Sequence, residues 1–378
     1  MGSLAINHKV EKENIFGKVF SAYMTVIAIV LVTACTNTYD YSEFRASYNG
    51  LIKTSFEPGY VFFERLFFNY GISFDVFKLI VLGISMFMIH KTVKEYIDNG
   101  IIWRYYLAFM IFPLYFYAYS IRNAIAVSIV IYAFRYLLEN SKRGYIKYIL
   151  AVLISASFHV SSIIFLVFIV IPILASTNNK KLLLRLFIAF IIFFSIVITA
   201  SSTLLQSFMD FIWSIIFLIL DIPDYKKSYF QIVGRWGFLL SVITHVSSFI
   251  LLYTCKNYLE RTKNNTKTKS EYNMMYRSKV SKLMNYVYYS NILLTIVIPI
   301  IRVNGEFTRI YKSITPLYYI SAISVIGLLR SEKRRYMLIN LLLITTVIIN
   351  FAVYVWPYRT ITFYTLFTDN WIANTIFK

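Results

Sequence analysis

Residues 148–174 read YILAVLISASFHVSSIIFLVFIVIPIL, 27 positions without an Asp, Glu, Lys or Arg. As one α-helix this stretch would be about 40 Å long, against a bilayer hydrocarbon core of about 30 Å. It is therefore either one strongly tilted span or two short spans broken at His159. The choice sets the side of the membrane on which every later loop lies.

The rest of the chain has the same character. Of its 378 residues, 58% are hydrophobic, 19% aromatic and 15% charged, which is not the composition of a soluble globular protein. Apolar runs recur at roughly 19–36, 74–90, 101–119, 123–138, 182–202, 236–255, 286–301, 310–329 and 337–356, with no soluble domain between them. Disorder, a collagen-like fibre and a disulfide scaffold are excluded together. The class is an all-α polytopic membrane protein, residues 1–378 forming one integral membrane domain. The first run lacks a small-residue cleavage site and reads as a retained helix. Cys35 and Cys255 fall on opposite faces and read as free thiols.

Charge resolves the 148–174 ambiguity. Lys and Arg total 38 against 18 Asp and Glu, a net +20. With a break at His159, one alternating set of loops holds 23 basic residues and the other 11. With an unbroken span, the basic loop 256–285 and the Arg330–Arg335 turn would move outside, against the tendency of basic residues to stay cytoplasmic. We therefore expect about eleven spans (range 10–12), with the N-terminus inside and the C-terminus outside. The large outer segments are 37–73, which contains an amphipathic stretch, and 203–235. Most of the net charge is thus topological, and it does not signal nucleic-acid binding.

The basic residues left on the outer face are not explained by topology. Arg122 opens one span, Arg235 precedes another, and Arg302 and Arg309 bracket a short turn. A charge at membrane depth costs about 2.5–3.5 kcal/mol on insertion scales, so such residues usually face a cavity, a partner or a lipid headgroup. Arginine's planar fork suits phosphate, so these four are candidates to converge on a pyrophosphate. Nearby rings (Tyr39, Tyr41, Tyr48, Tyr60, Tyr225, Tyr229, Trp236, Trp356, Tyr358) are either sugar platforms or an ordinary interfacial aromatic belt. His159 is either a polar group at the site or a side chain satisfying a backbone carbonyl at the helix break. Asp40 and Glu57 stand out among the outer carboxylates. Glu57-Pro58-Gly59-Tyr60 fixes a turn ahead of Val61–Tyr70, although a solvated turn is the plainer reading. Asp221 and Asp224 around Pro223 are a weak metal signature. No Walker loop, dinucleotide fingerprint, zinc spacing or nucleophile elbow occurs, so no metal or other cofactor is expected.

Ser120-Ile121-Arg122-Asn123-Ala124-Ile125-Ala126, followed by Ser157-Phe158-His159-Val160-Ser161-Ser162, resembles the Arg-containing helix start and the Phe-His-x-Ser break of the EpsG-like branch of the Wzy oligosaccharide-repeat polymerases. Asp40 to Tyr48 and Glu57–Tyr60 resemble that family's first outer loop, and Arg309-Ile310-Tyr311 its late arginine element. Asn123 stands where Gln is expected. The resemblance spans most of residues 20–330. It implies a GT-C-like polymerase architecture with short broken helices near His159. It also implies a metal-independent membrane glycosyltransferase of the bacterial cytoplasmic membrane, acting in O-antigen, capsule or exopolysaccharide synthesis. The enzyme would move a glycan from undecaprenyl pyrophosphate onto a lipid-linked acceptor repeat. Expected partners are that lipid-linked oligosaccharide, membrane lipids and, as a candidate, a chain-length regulator, with no nucleic acid. On this reading Arg122 and Arg309 bind pyrophosphate, Arg235 and Arg302 are secondary candidates, His159 orients phosphate or assists proton transfer, and Glu57 or Asp40 activates the acceptor hydroxyl. The competing readings are an O-antigen ligase and a lipid-linked oligosaccharide flippase; for the flippase His245 is a deep ionisable candidate.

Overall fold

The computed structural model describes the chain except residues 1, 37–39, 54–55, 177–180, 202, 208–209, 212–213, 215–237, 263–270, 330–331, 361–362 and 372–378, and additionally except the side chains of 2–14, 176, 181–187, 262 and 271–273. Among the described residues the fold is all-α, with one isolated bridge between Cys35 and Asn370 and no strand. Six helical stretches are long and apolar enough to cross a membrane: Ile15–Thr33, Phe74–Tyr96, Ile121–Glu139, Phe238–Arg261, Met274–Val303 and Lys333–Tyr354. The protein is a multi-pass membrane protein.

The remaining apolar runs form shorter or broken helices. After α1 (Gly2–Thr33), two short helices, α2 (Tyr41–Tyr48) and α3 (Pro58–Asn69), make up a cap, and α4 (Phe74–Tyr96) crosses back. The 101–119 run is split into α5 (Ile102–Ile111) and α6 (Leu114–Tyr119) at Phe112-Pro113, because proline has no N–H to continue the ladder. Then come α7 (Ile121–Glu139) and α8 (Lys142–Phe158), joined by Asn140 in the left-handed region (φ 54°) and by Ser141, whose hydroxyl accepts from Gly144 N. Ser155 Oγ donates to Ala126 O at 2.6 Å and ties α8 along α7.

At His159 the chain leaves the helix in an extended conformation (φ −154°, ψ 112°) and continues as a 3-10 helix, Val160–Val170, then α9 (Ile171–Ser176). Tyr148 OH donates to Phe165 O at 2.9 Å. In one continuous helix those residues would be about 25 Å apart, so the chain reverses at His159. The return leg is not the α-helix of about 25 Å that its length suggests. A 3-10 helix rises about 2.0 Å per residue, and with α9 the leg reaches roughly 30 Å, the thickness of the hydrocarbon core. The pattern of apolar residues cannot distinguish 3-10 from α winding.

Beyond α10 (Lys181–Ala200) the order is α11 (Phe238–Thr262), α12 (Glu271–Leu294), α13 (Ile298–Val303), α14 (Arg309–Leu328), α15 (Lys333–Tyr354) and α16 (Thr365–Thr368). The basic segment 256–285 proves to be mostly the ends of α11 and α12; Lys, Arg and Glu are good helix formers and do not stop a helix as it leaves the apolar layer. Of the 203–235 segment only scattered residues are described.

Loops sort onto the two ends of the bundle. At one end Glu95 pairs with Arg135 and Lys279, both at 3.1 Å, and Arg104 donates to Asn340 Oδ1 at 2.8 Å. At the other, Lys78 Nζ donates to Cys35 O, and Thr36 N donates to Asp369 O at 2.8 Å. These are the groupings that the charges of the sequence separate. Cys35 and Cys255 are buried and not joined by a disulfide, and the Cys35 thiol donates to Thr365 O at 3.4 Å.

Candidate functional site

The cap and three helix starts meet at one point. Glu57 is the N-cap residue of α3, followed by proline in the first helical turn, yet its side chain makes no capping bond. Its carboxylate is used elsewhere. One oxygen pairs with Arg122 Nη1, and the other accepts from Val160 N at 3.1 Å, directly after the His159 break. Gly59 is what permits this approach: a Cβ there would collide with the Oγ and carbonyl oxygen of Ser157. The turn motif is therefore a docking element between cap and hairpin, and not a solvated turn.

Arg122 lies in the first turn of α7 under Phe56, whose ring centroid is 4.1 Å from the guanidinium carbon. Arg309 is the first residue of α14 and pairs with Glu306. Asn123 Nδ2 donates to Ser313 Oγ at 3.0 Å and Tyr117 OH to Ser313 O at 3.1 Å, so α7 and α14 are locked in register with their starts at one level. The unexpected Asn123 thus has a structural task. Neither helix has a side-chain cap bond from its N-cap residue, Ser120 or Thr308. The start of α7 leaves N–H donors and a positive dipole end, both of which favour an anion. At α14, by contrast, a 3-10 turn, Gly305–Thr308, leads straight in, and the Arg309 N–H already donates to Glu306 O and Phe307 O. In addition, the Nε atoms of Arg122 and Arg309 are buried without a partner.

Both arginines act electrostatically on Asp40 and on His159. Burial pushes the Asp40 carboxyl above its ordinary range, with Glu43 and Glu306 adding to the effect and Arg309 and Arg122 opposing it. Burial acts on Glu57 in the same sense, but Arg122, then His159 and the Val160 N–H, outweigh it and hold that carboxyl below its ordinary range. His159 does not satisfy a backbone carbonyl. Its Nδ1 accepts from Ser161 N at 3.3 Å and meets Ser161 Oγ at 2.8 Å, which leaves Nε2 as the donor of a neutral ring.

The structure therefore brings together Asp40, Glu57, Arg122, His159 and Arg309. Arg302 stands apart: its guanidinium carbon is 5.9 Å from the Phe238 ring centroid, and its Nε and Nη1 are buried without partners. Arg235, Asp221, Asp224, Tyr39, Tyr225, Tyr229 and Trp236 lie outside the described residues. Tyr48 and Tyr60 are neither sugar platforms nor a lipid belt; they are buried in an aromatic cluster with Phe44, Phe56 and Phe77 that forms the core of the cap. His245 is a packed side chain, stacked 4.6 Å from Tyr311 with Nε2 3.1 Å from Thr295 Oγ1. Among the described residues no group of three His, Cys, Asp or Glu side chains is placed to hold a metal ion.

Three features were missed from sequence. Glu306 masks Arg309, Phe56 roofs Arg122, and Glu64, one turn of α3 beyond Tyr60, is buried with Oε2 3.3 Å from Ser47 Oγ. Two carried a signal: Glu306 stands three residues before Arg309, the spacing of a local ion pair, and Phe56 precedes Glu57.

No curated protein and no solved structure matches the chain. The profile of the EpsG family matches residues 14–366, a range that takes in α2 through α15 and every residue of the cluster. The chain belongs to the EpsG family.

Proposed function

We propose that the protein is a polysaccharide repeat-unit polymerase of the bacterial cytoplasmic membrane, transferring a glycan from undecaprenyl pyrophosphate to a lipid-linked acceptor repeat at the outer face. The observation that carries this reading is the pair Arg122 and Arg309, set at two helix starts held level by Asn123 and Ser313, each with an unused buried Nε. Two forks, with the open start of α7 beside one of them, suit the two phosphates of a pyrophosphate.

In the reaction the acceptor hydroxyl oxygen bonds to the donor's anomeric carbon while the bond from that carbon to the pyrophosphate oxygen breaks. The electron pair leaves on the pyrophosphate, and the hydroxyl proton passes to a base. Arginines aimed at the leaving group favour the transition state over the ground state, because negative charge grows there as the bond breaks. The two carboxylates divide the remaining roles. Asp40 makes no ion pair among the described residues and has a raised pKa, which suits a proton acceptor. Glu57 is committed to Arg122 and Val160 and serves as the positioning residue. His159 Nε2–H is the donor available to a phosphate oxygen. Glu306, 59% exposed, is the counterion that an entering phosphate displaces from Arg309.

The test is complementation of a strain lacking the gene with wild-type protein and with Arg122→Ala at equal protein level. Single-repeat glycan in the variant supports the reading; normal polymer length from it refutes the reading. Accumulation of finished lipid-linked polymer in the deletion strain would indicate a ligase instead.

A further inference from the structure

At the end of α1 and α4 opposite the arginine cluster, a cavity of about 400 Å³ opens between those helices and the turn that leads into α5. The two helices run antiparallel. Lys78 meets Cys35 at the far end, and Lys18 and Lys94 stand on the wall of the cavity, roughly 25 Å away along α1.

The walls divide by chemistry. Lys18, Lys94, His90 and Thr25 give a polar, cationic side, and Val26 and Ile102 an apolar one. Neither lysine has an acidic partner among the described residues. The nearby carboxylates are occupied: Glu95 by Arg135 and Lys279, and Asp98 by Gly100 N at 2.8 Å. His90 Nδ1 is 2.7 Å from Tyr106 OH, so the hydroxyl fixes the ring. On the outside of α1, Val19 (65% exposed) and Val26 (58%) lie two turns apart on one face and continue the apolar wall away from the bundle. Trp103, edge-on to Phe20 at 5.6 Å, lies beside this end, where amphipathic rings mark the headgroup level.

We propose that this cavity binds the headgroup of one anionic phospholipid, its phosphate between Lys18 and Lys94 and its acyl chains along Val19 and Val26. The volume suits a small ligand, and an unpaired cationic wall beside an apolar groove matches a negative headgroup joined to a hydrocarbon tail. A zwitterionic lipid would set its own ammonium against two lysines that form no ion pair among the described residues. The site is separate from the arginine cluster and does not depend on the polymerase reading.

The full chain should be purified from an equimolar mixture of phosphatidylglycerol and phosphatidylcholine and its retained lipids counted by native mass spectrometry. Wild-type protein should hold one phosphatidylglycerol through mild activation. In Lys18→Gln/Lys94→Gln its affinity should fall by about 30-fold, from about fivefold for each lysine lost near a membrane surface. Val26→Trp, which fills the cavity and leaves both lysines, should also lose the lipid, with its melting temperature reporting an intact fold. Equal retention in all three proteins overturns the proposal, as does retention by the tryptophan variant, which would mean a general charged annulus. Displacement of the lipid by inorganic phosphate would mean a free-anion site and equally overturn it.

Discussion

The Asn123 amide donates to the Ser313 hydroxyl at 3.0 Å, and this bond sets the level of Arg122 against Arg309. Each arginine lies within its own helix's first turn, with the bonded residue one position or one turn further in. The spacing of the two guanidinium groups is therefore fixed by packing within the bundle. The first prediction follows from that bond. Asn123→Ala leaves a buried hydroxyl without its partner and should cost about 1–3 kcal/mol in stability. Thermal melting of Asn123→Ala, Ser313→Ala and the double variant should give a coupling energy of about 0.5–3 kcal/mol, and additive effects would show that the bond does not couple the helices.

Gly59 should tolerate no side chain. Gly59→Ala pushes α3 away from Ser157 and carries Glu57 off Arg122 and Val160. Polymer formation should fall at least tenfold with protein level kept, whereas Gly83→Ala, at a helical position with open space around it, should be silent. Equal effects of the two substitutions would contradict the docking role.

The two arginine partners should behave oppositely. Glu306→Gln removes a competitor for Arg309 and should lower KM for the lipid-linked substrate. Glu57→Gln loosens Arg122 and the His159 turn and should lower kcat. Arg122→Lys and Arg309→Lys keep the charge but lose the fork, and should retain only a few per cent of activity. Steady-state kinetics on purified variants separates these outcomes.

Glu57 and Glu64 should give pH dependences of opposite sign. Glu57 has a lowered pKa in the fold, so its contribution is present above the ordinary carboxylate range and is lost as pH falls through its folded value. Burial raises Glu64 to about 7, so the folded state binds its proton more tightly than the unfolded chain. Stability from this group is fully present below its unfolded pKa of about 4.5 and is lost as pH rises through about 7. Melting temperatures of Glu64→Gln should consequently exceed those of wild type most clearly above pH 7, and Glu57→Gln should flatten the acid side of the profile. A Glu64→Gln profile parallel to wild type would contradict the buried-acid assignment.

Much of this architecture could be read in the chain because two strong signals agree: apolar runs of bilayer length, and an asymmetric distribution of Lys and Arg. The break at His159 came from charge parity, a global constraint, and Tyr148 bonded to Phe165 across the hairpin is its physical counterpart. The 3-10 winding of Val160–Val170 was not legible, since it depends on the span that leg must cover. At the site, Arg122 and Arg309 could be singled out because charge beside an apolar helix end is costly, Glu57 because Pro58 and Gly59 fix a turn after it, and His159 because it marks the break in the 148–174 run. The pairing of Glu57 with Arg122 could not be read, because it depends on how the cap seats on the bundle, whereas Glu306 and Arg309 are a local pair three residues apart. Glu64 was indistinguishable from a solvated carboxylate, because only the tertiary fold buries it between Ser47 and Tyr60.

The most direct measurement is elongation by purified protein in vesicles, with no nucleotide and no gradient, supplied with repeats on undecaprenyl pyrophosphate. If Arg122 and Arg309 hold the leaving pyrophosphate, wild type should give a ladder of longer lipid-linked glycans and release undecaprenyl pyrophosphate one for one with each bond formed. Arg122→Ala and Arg309→Ala should each give single repeats only. A normal ladder from either variant, or passage of unextended repeats across the vesicle membrane by wild type, would contradict the assignment.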